Sequence, residues 1–111
     1  MGDLSGIGIE IVLKSFEDSR MLDFCTPVIF ASSKVISHHK KVLDISTNIH
    51  GIDSLNNVVA QKVNLLTVWK ELIDVELGVP TKISGEYALR SLEKAVEALK
   101  NEEIDVLVTA P

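Results

Sequence analysis

The sequence predicts a mostly parallel, three-layer α/β fold, and three observations carry that reading. The stretch from Ser84 to Pro111 reads as a long amphipathic helix running into an apolar strand. Val28-Ile29-Phe30-Ala31, followed by a helical pattern from about Lys34, repeats the strand-then-helix order. A glycine-rich turn, Gly2 to Gly8, leads straight into a first helix. The order of loop, helix, strand, helix, strand-rich middle, helix and strand favours a parallel layered sheet over a bundle or a sandwich.

The first helix is predicted over Ile9–Phe16, with Ile9, Val12, Leu13 and Phe16 on one face and Glu17 to Arg20 as its solvated end or the turn after it. Val28–Ala31 is a short apolar strand. Cys25, just before it, reads as a small core residue at the mouth of the strand. Ser32 or Ser33 caps a helix over Lys34–Leu43, whose inner side carries Val35, Ile36, His39, Val42 and Leu43. Asn48 to Asp53 suggests an edge strand with a turn at Gly51, and Asp53-Ser54 suggests the cap of a brief turn reaching Ala60. Val63–Trp69 reads as a strand, with Val63, Leu65 and Thr67 alternating against Asn64, Leu66 and Val68; Leu72–Val75 extends it or forms a second short strand. Gly78 and Pro80 make Leu77–Lys82 a loop.

In the last helix, Ser84 is the expected N-cap and Glu86 suits the positive first turn. Ala88, Leu92, Ala95 and Leu99, with Leu89 and Val96, form the expected buried face, and Arg90, Glu93, Lys94, Glu97 and Lys100 the outer one. Ile104–Val108, broken only by Asp105, has the unalternating pattern of a strand covered on both faces. Thr109 would then sit at a strand's carboxyl end, the edge where parallel α/β sheets bind ligands.

Composition narrows the function classes. At 46% apolar and 24% charged residues, the chain is an ordinary globular one. Its net charge of -5 argues against nucleic acid and anionic membrane as partners. No apolar run approaches the roughly 18 residues of a membrane span. A single cysteine forms no internal disulfide and suits a reducing cytoplasm.

Gly6-Ile7-Gly8 ahead of a helix would offer backbone N–H groups and a partial positive charge to a phosphate or other anion. A purely structural tight turn is the competing reading, since neither the dinucleotide fingerprint nor the phosphate-binding loop motif is complete. Asp3 is suited to accept from loop N–H groups, ligate a metal or hold a substrate hydroxyl. His38 and His39 are helix neighbours pointing about 100° apart, which ill suits one zinc. His39 reads as a packing residue, and His50 beside Gly51 as a minor ligand candidate. Trp69 and Tyr87 read as core or interface aromatics. These patterns give an α/β piece with an anion-binding edge, not an enzyme.

Taken together, Gly2-Asp3-Leu4-Ser5-Gly6-Ile7-Gly8-Ile9-Glu10, Asn64 to Trp69, Ser84-Gly85-Glu86-Tyr87-Ala88, Ser91-Leu92-Glu93, Ala95-Val96, Leu99 and Asp105 to Pro111 resemble the amino-terminal part of the 4-hydroxythreonine-4-phosphate dehydrogenases of pyridoxal 5'-phosphate biosynthesis. Ser5 stands where that family usually has Asn or Ala, and Ile9 where proline is common. The resemblance spans essentially the whole chain.

It implies a three-layer fold similar to isocitrate and isopropylmalate dehydrogenases, of which residues 1–111 would supply only part of the first α/β domain. The first strand and the second domain would lie outside the chain. It further implies a cytoplasmic homodimer that oxidises 4-phosphooxy-L-threonine with NAD or NADP, aided by a divalent metal such as Zn, Mg or Co. The family's three metal-binding histidines and a His-Thr pair come later in the sequence, and His38, His39 and His50 match none of them. The chain therefore carries no expected catalytic or metal-ligating residue. Asp3, Gly6 and Gly8 are the expected cofactor-binding positions, and the piece alone is expected to be inactive and poorly stable unless it dimerises. The alternatives are a related metal-dependent dehydrogenase of another hydroxy acid, or a phosphate-binding or assembly domain without catalysis.

Overall fold

Three strands, all paired in parallel, form the sheet of the computed structural model, which describes residues 6–70, 78 and 81–110. They are β1 (Val28–Ala31), β2 (His50–Ile52) and β3 (Asn64–Thr67), in the order β1-β3-β2. The last strand in sequence is thus the central one. Val28 to Ala31 stand opposite Asn64 to Thr67, and His50 to Ile52 opposite Asn64 to Leu66. Parallel neighbours need a crossover, and α2 (Ser33–Leu43) lies between β1 and β2 in the chain.

Alternation along the strands separates two cores. Ile29 and Ala31 of β1 and Leu65 of β3 pack with Ile9 and Leu13 of α1 (Gly8–Ser15) and with Val35 and Ile36 of α2. Phe30, one residue out of phase, faces the other way and packs with Ala95 and Ala98 of α3 (Lys82–Lys100), with Val28 and Leu66 beside them. Helices on both faces of a parallel sheet make the three layers that the sequence predicts. At about 1.5–3 kcal/mol for each large apolar side chain buried, the α1/α2 side carries most of the stabilisation.

Asn64 joins the strands at their amino ends. It is fully buried. Its backbone N–H donates to the Pro27 carbonyl at 3.0 Å. Its side-chain Oδ1 accepts from Val59 N–H at 3.0 Å, and Nδ2 donates to the carbonyls of Lys62 (2.9 Å), Val59 (3.0 Å) and Pro27 (3.4 Å). One amide therefore satisfies the loop entering β3 and the residue entering β1. A second tie is Thr47, whose buried hydroxyl donates to the Leu13 carbonyl at 2.7 Å and fixes the end of α1 to the segment before β2.

Several expectations are corrected. Ile104–Val108 forms no strand: Val106 and Val108 are 71% and 83% exposed, and only Ile104 and Leu107 lean on the Phe30 core. A doubly covered strand needs hydrogen-bonded neighbours, and the free edge of β1 is not paired with this segment.

The last helix starts earlier than expected. Thr81 is the N-cap: its hydroxyl accepts from Ser84 N–H, and Ser84 Oγ accepts from Thr81 N–H, each at 3.0 Å. Its buried face is also rotated from the expected one. Ser84, Ser91, Ala95 and Ala98 face inward, while Leu89, Leu92 and Leu99 are 54%, 39% and 38% exposed. Small side chains allow close approach to the sheet.

Cys25 is exposed rather than part of the core, Val42 faces solvent, and Gly51 is a strand residue opposite Leu65 rather than a turn. Ser32 caps α2, and Ser54 caps the brief turn Leu55–Asn57, as expected. Leu72–Val75 lies outside the described residues.

The helix ends carry their own stops. Glu103 N–H donates to the Ala98 carbonyl at 2.9 Å and Glu102 N–H to that of Leu99 at 3.1 Å, with Glu102 at φ 58°. This is a Schellman motif with glutamate at the position that favours glycine. Glu102→Gly is therefore expected to stabilise the fold by about 0.5–1 kcal/mol, read as a higher denaturant midpoint at unchanged slope. Asn64→Ala is expected to cost about 3 kcal/mol, because it strands buried backbone groups at both strand entries; a change below about 1 kcal/mol would contradict that role.

Candidate functional site

The sheet has two usable edges, and helix direction decides which chain segments reach each. Phe16 and Glu17, at the end of α1, line a groove of about 450 Å3 together with Thr47 to His50 and with Lys62 and Val63. Those residues enter β2 and β3, so α1 runs against the strands and its end lies at their amino edge. Its opposite terminus, Gly6 to Gly8, therefore points towards the carboxyl edge, where parallel α/β sheets take their ligands.

Gly6 is half-buried and Gly8, the first residue of α1, is buried. Ile7 occupies the N-cap and supplies no side-chain acceptor. Among the described residues, the first-turn N–H groups of α1 therefore receive no side-chain cap from the N-cap position, a local arrangement that suits an anionic ligand such as a phosphate. Asp3, the third cofactor-binding candidate, lies outside the described residues.

The carboxyl edge is held by links between the loops that leave the strands. Val68 N–H donates to the Ala31 carbonyl at 2.8 Å, continuing the β1–β3 pairing past the strand ends. Ser32 is buried after β1, and its Oγ accepts from Lys34 N–H at 3.3 Å, opening α2 there. Lys34 Nζ reaches across to the Lys70 carbonyl at 3.2 Å. Beside it, Trp69 is buried with its ring centroid 4.7 Å from that of Tyr87 at the start of α3, and the Arg90 guanidinium lies 4.9 Å from the Tyr87 centroid. Among the described residues, the Trp69 indole N–H finds no hydrogen-bond acceptor.

The histidines are not brought together. His39 is fully buried on the core side of α2, and His38 is exposed with its ring 6.1 Å away at 86°. His50 lines the groove at the amino edge, away from the carboxyl one. Thr109, expected at a strand end facing a cleft, is exposed in an unpaired segment.

Among the described residues, no group of three or more His, Cys, Asp or Glu side chains is placed to hold a metal ion. The metal that the resemblance implies therefore finds no ligand set in them. Surface ion pairing displaces some groups from their ordinary pKa. Hydrogen bonding to Glu10 raises Lys14, and the Asp18–Arg20 pair lowers Asp18 and raises Arg20. None of them lines the carboxyl edge.

Sequence reasoning picked out Trp69 and Tyr87 singly but missed their pairing and the Lys34–Lys70 link. Both join positions far apart in the chain, and periodicity reports only neighbours along one element. The Thr81 cap was legible as a threonine three residues before Ser84.

The fold defines a three-layer parallel α/β protein, a class in which ligands sit beyond the carboxyl ends of the strands. Within that class, the chain belongs to the family described as pyridoxal phosphate biosynthetic protein PdxA, whose family model matches residues 23–111. It is 36% identical over 110 residues to a 4-hydroxythreonine-4-phosphate dehydrogenase of Bacteroides thetaiotaomicron, covering 99% of this chain and 30% of the relative. It is 29% identical over 114 residues to a protein of Fusobacterium nucleatum provisionally named a D-threonate 4-phosphate dehydrogenase, covering all of this chain and 34% of that one. The crystal structure of a 4-hydroxythreonine-4-phosphate dehydrogenase from Burkholderia phymatum superposes with a TM-score of 0.81 at 24% identity, over 95% of this chain and 32% of that one, and so shares its fold. The chain spans about a third of the length of the curated relatives it matches.

Trp69 is the single tryptophan, so its emission reports directly on this edge. Tyr87→Leu keeps apolar volume but removes the ring pair. It is expected to shift the Trp69 emission and to lower stability by about 1 kcal/mol; an unchanged spectrum would contradict the packing described.

Proposed function

We propose that residues 1–111 are the amino-terminal α/β portion of an NAD-dependent dehydrogenase that oxidises 4-hydroxythreonine 4-phosphate in pyridoxal 5'-phosphate biosynthesis. The observation that carries this reading is the family match over residues 23–111. An N-cap at Ile7 that supplies no side-chain acceptor to the start of α1, and the relative from Bacteroides thetaiotaomicron, support it. In the proposed reaction the C3 carbon gives its hydride to the nicotinamide while the C3 hydroxyl gives its proton to a base, and the 3-oxo acid then releases carbon dioxide and takes up a proton at C2 to give 3-amino-2-oxopropyl phosphate.

The nicotinamide, when bound, supplies the hydride acceptor. The contribution of this chain is binding: Gly6 and Gly8 let the first turn of α1 approach an anionic group of the cofactor, with Asp3 as the third cofactor-binding position. The divalent metal and its ligands belong to the remainder of a longer, cytoplasmic, homodimeric protein, as do the first strand and the second domain. No catalytic residue lies within 1–111, and this piece by itself is inactive.

The test uses the full-length protein that contains this chain, supplied with 4-phosphooxy-L-threonine and NAD while reduced nicotinamide is followed. Substrate-dependent reduction is expected. Gly6→Asp, which sets a carboxylate at the anion site, is expected to raise the KM for NAD about tenfold, a loss of roughly 1.4 kcal/mol, with kcat retained. The resemblance to the Fusobacterium nucleatum protein favours a second reading, in which the hydroxy acid is D-threonate 4-phosphate. Turnover of that compound alone would replace the first reading with the second.

A further inference from the structure

The amino edge of the sheet carries a groove that the proposed function leaves unused. About 450 Å3 in volume, it is bounded by the chain leaving α1, from Phe16 to Leu22, and by the segments that enter β2 and β3. Phe16, Leu22, Ile49 and Val63 line it and all belong to the packing of the main core, so its apolar floor is fixed by the fold. The charged lining has two signs. Glu17 follows the carboxyl end of α1, where the helix presents its negative pole. Lys62 stands before β3, and His50, half-buried, opens β2. Among the described residues, neither Glu17 nor Lys62 closes an ion pair. Gln61, which also lines the groove, is held at φ 61° with its N–H donating to Thr26 Oγ1 at 3.4 Å. A bulky residue kept in the left-handed region is a feature that recurs where a loop is shaped for a ligand.

That combination of charges and floor selects the ligand. A phosphate or nucleotide would satisfy Lys62 and His50 but would meet the carboxylate of Glu17 and the negative end of α1. A simple amine would satisfy only Glu17. A small molecule with both an ammonium and a carboxylate satisfies the two together, and an apolar body lets it cover the floor. The volume is that of a site for a single small molecule. We propose that this groove binds a free amino acid with an apolar or aromatic side chain. Its ammonium group lies towards Glu17, its carboxylate towards Lys62 and His50, and its side chain on Phe16, Leu22, Ile49 and Val63. The site goes beyond the proposed function: it lies at the edge of the sheet opposite to Gly6 and Gly8, and it stands whether or not NAD binds there.

Calorimetric titration of the full-length protein that contains this chain tests it with L-phenylalanine, and with 2-phenylethylamine and 3-phenylpropionate, which carry one charge each on the same body. Phenylalanine is expected to bind, and each analogue to bind about fivefold more weakly. Backbone hydrogen exchange is expected to slow at residues 46–50 and 61–63, which line the groove, and not at the start of α1. Glu17 and Lys62 are exposed, so Glu17→Lys and Lys62→Glu should leave the thermal midpoint unchanged. Each should weaken phenylalanine binding about tenfold, because it replaces an attraction by a repulsion. The two together should restore binding, since the dipolar ligand can turn round in the groove. No binding at millimolar phenylalanine would overturn the proposal. So would affinity that neither substitution changes. Phosphate or 3-phenylpropionate binding as tightly as phenylalanine would overturn it too, by making the groove a site for anions alone.

Discussion

The amide of Asn64 is the constraint on which the arrangement of the strands depends. A parallel sheet receives no help from hairpin turns, so the entry points of its strands must be fixed by other contacts. Asn64 opens the central strand and spends its side chain on the backbone of the segment before β3 and on Pro27 before β1. His50 N–H, donating to the Val63 carbonyl at 2.8 Å, brings in β2 beside it. With the amino edge fixed in this way, the alternation along β1 decides the rest. Ile29 and Ala31 call for α1 and α2 on one face, and Phe30 calls for α3 on the other.

The two helical layers then do different work. α1 and α2 supply large apolar residues to the main core, and Thr47 holds the end of α1 at the amino edge. The direction of α1 follows from that tie, and it sends the glycine turn to the carboxyl edge. α3 packs through serine and alanine and so lies close to the sheet, carrying Tyr87 against Trp69. The carboxyl edge is thus framed by the start of α1, the Lys34–Lys70 link and an aromatic pair.

Local signals made much of this legible in the sequence. The β1–α2 unit appears at its expected place because a short apolar run ends at a serine cap, and β3 because it is apolar on both faces. The face of α3 was misjudged because hydrophobicity alone ranks leucine above alanine and serine, whereas the depth available beneath a helix is set by the sheet it meets. Ile104–Val108 was misjudged for a related reason: its composition is that of a buried strand, but composition does not supply the neighbours a strand must pair with. Cys25 shows the same limit on the scale of one residue. At the candidate site, Gly6 and Gly8 were legible as a turn before a helix. The pairing of Trp69 with Tyr87 was not, since it joins two elements through the fold.

The central claim is that this layer presents its carboxyl edge, through the start of α1, to an anionic cofactor. Titrating the isotopically labelled chain with NAD while following backbone amide shifts tests it most directly. The account predicts that Gly6, Gly8 and Ile9 move first and saturate together, with Thr47 to His50 and Lys62 unaffected. Shifts confined to the amino-edge groove around His50 and Lys62, or none at the start of α1, would contradict it.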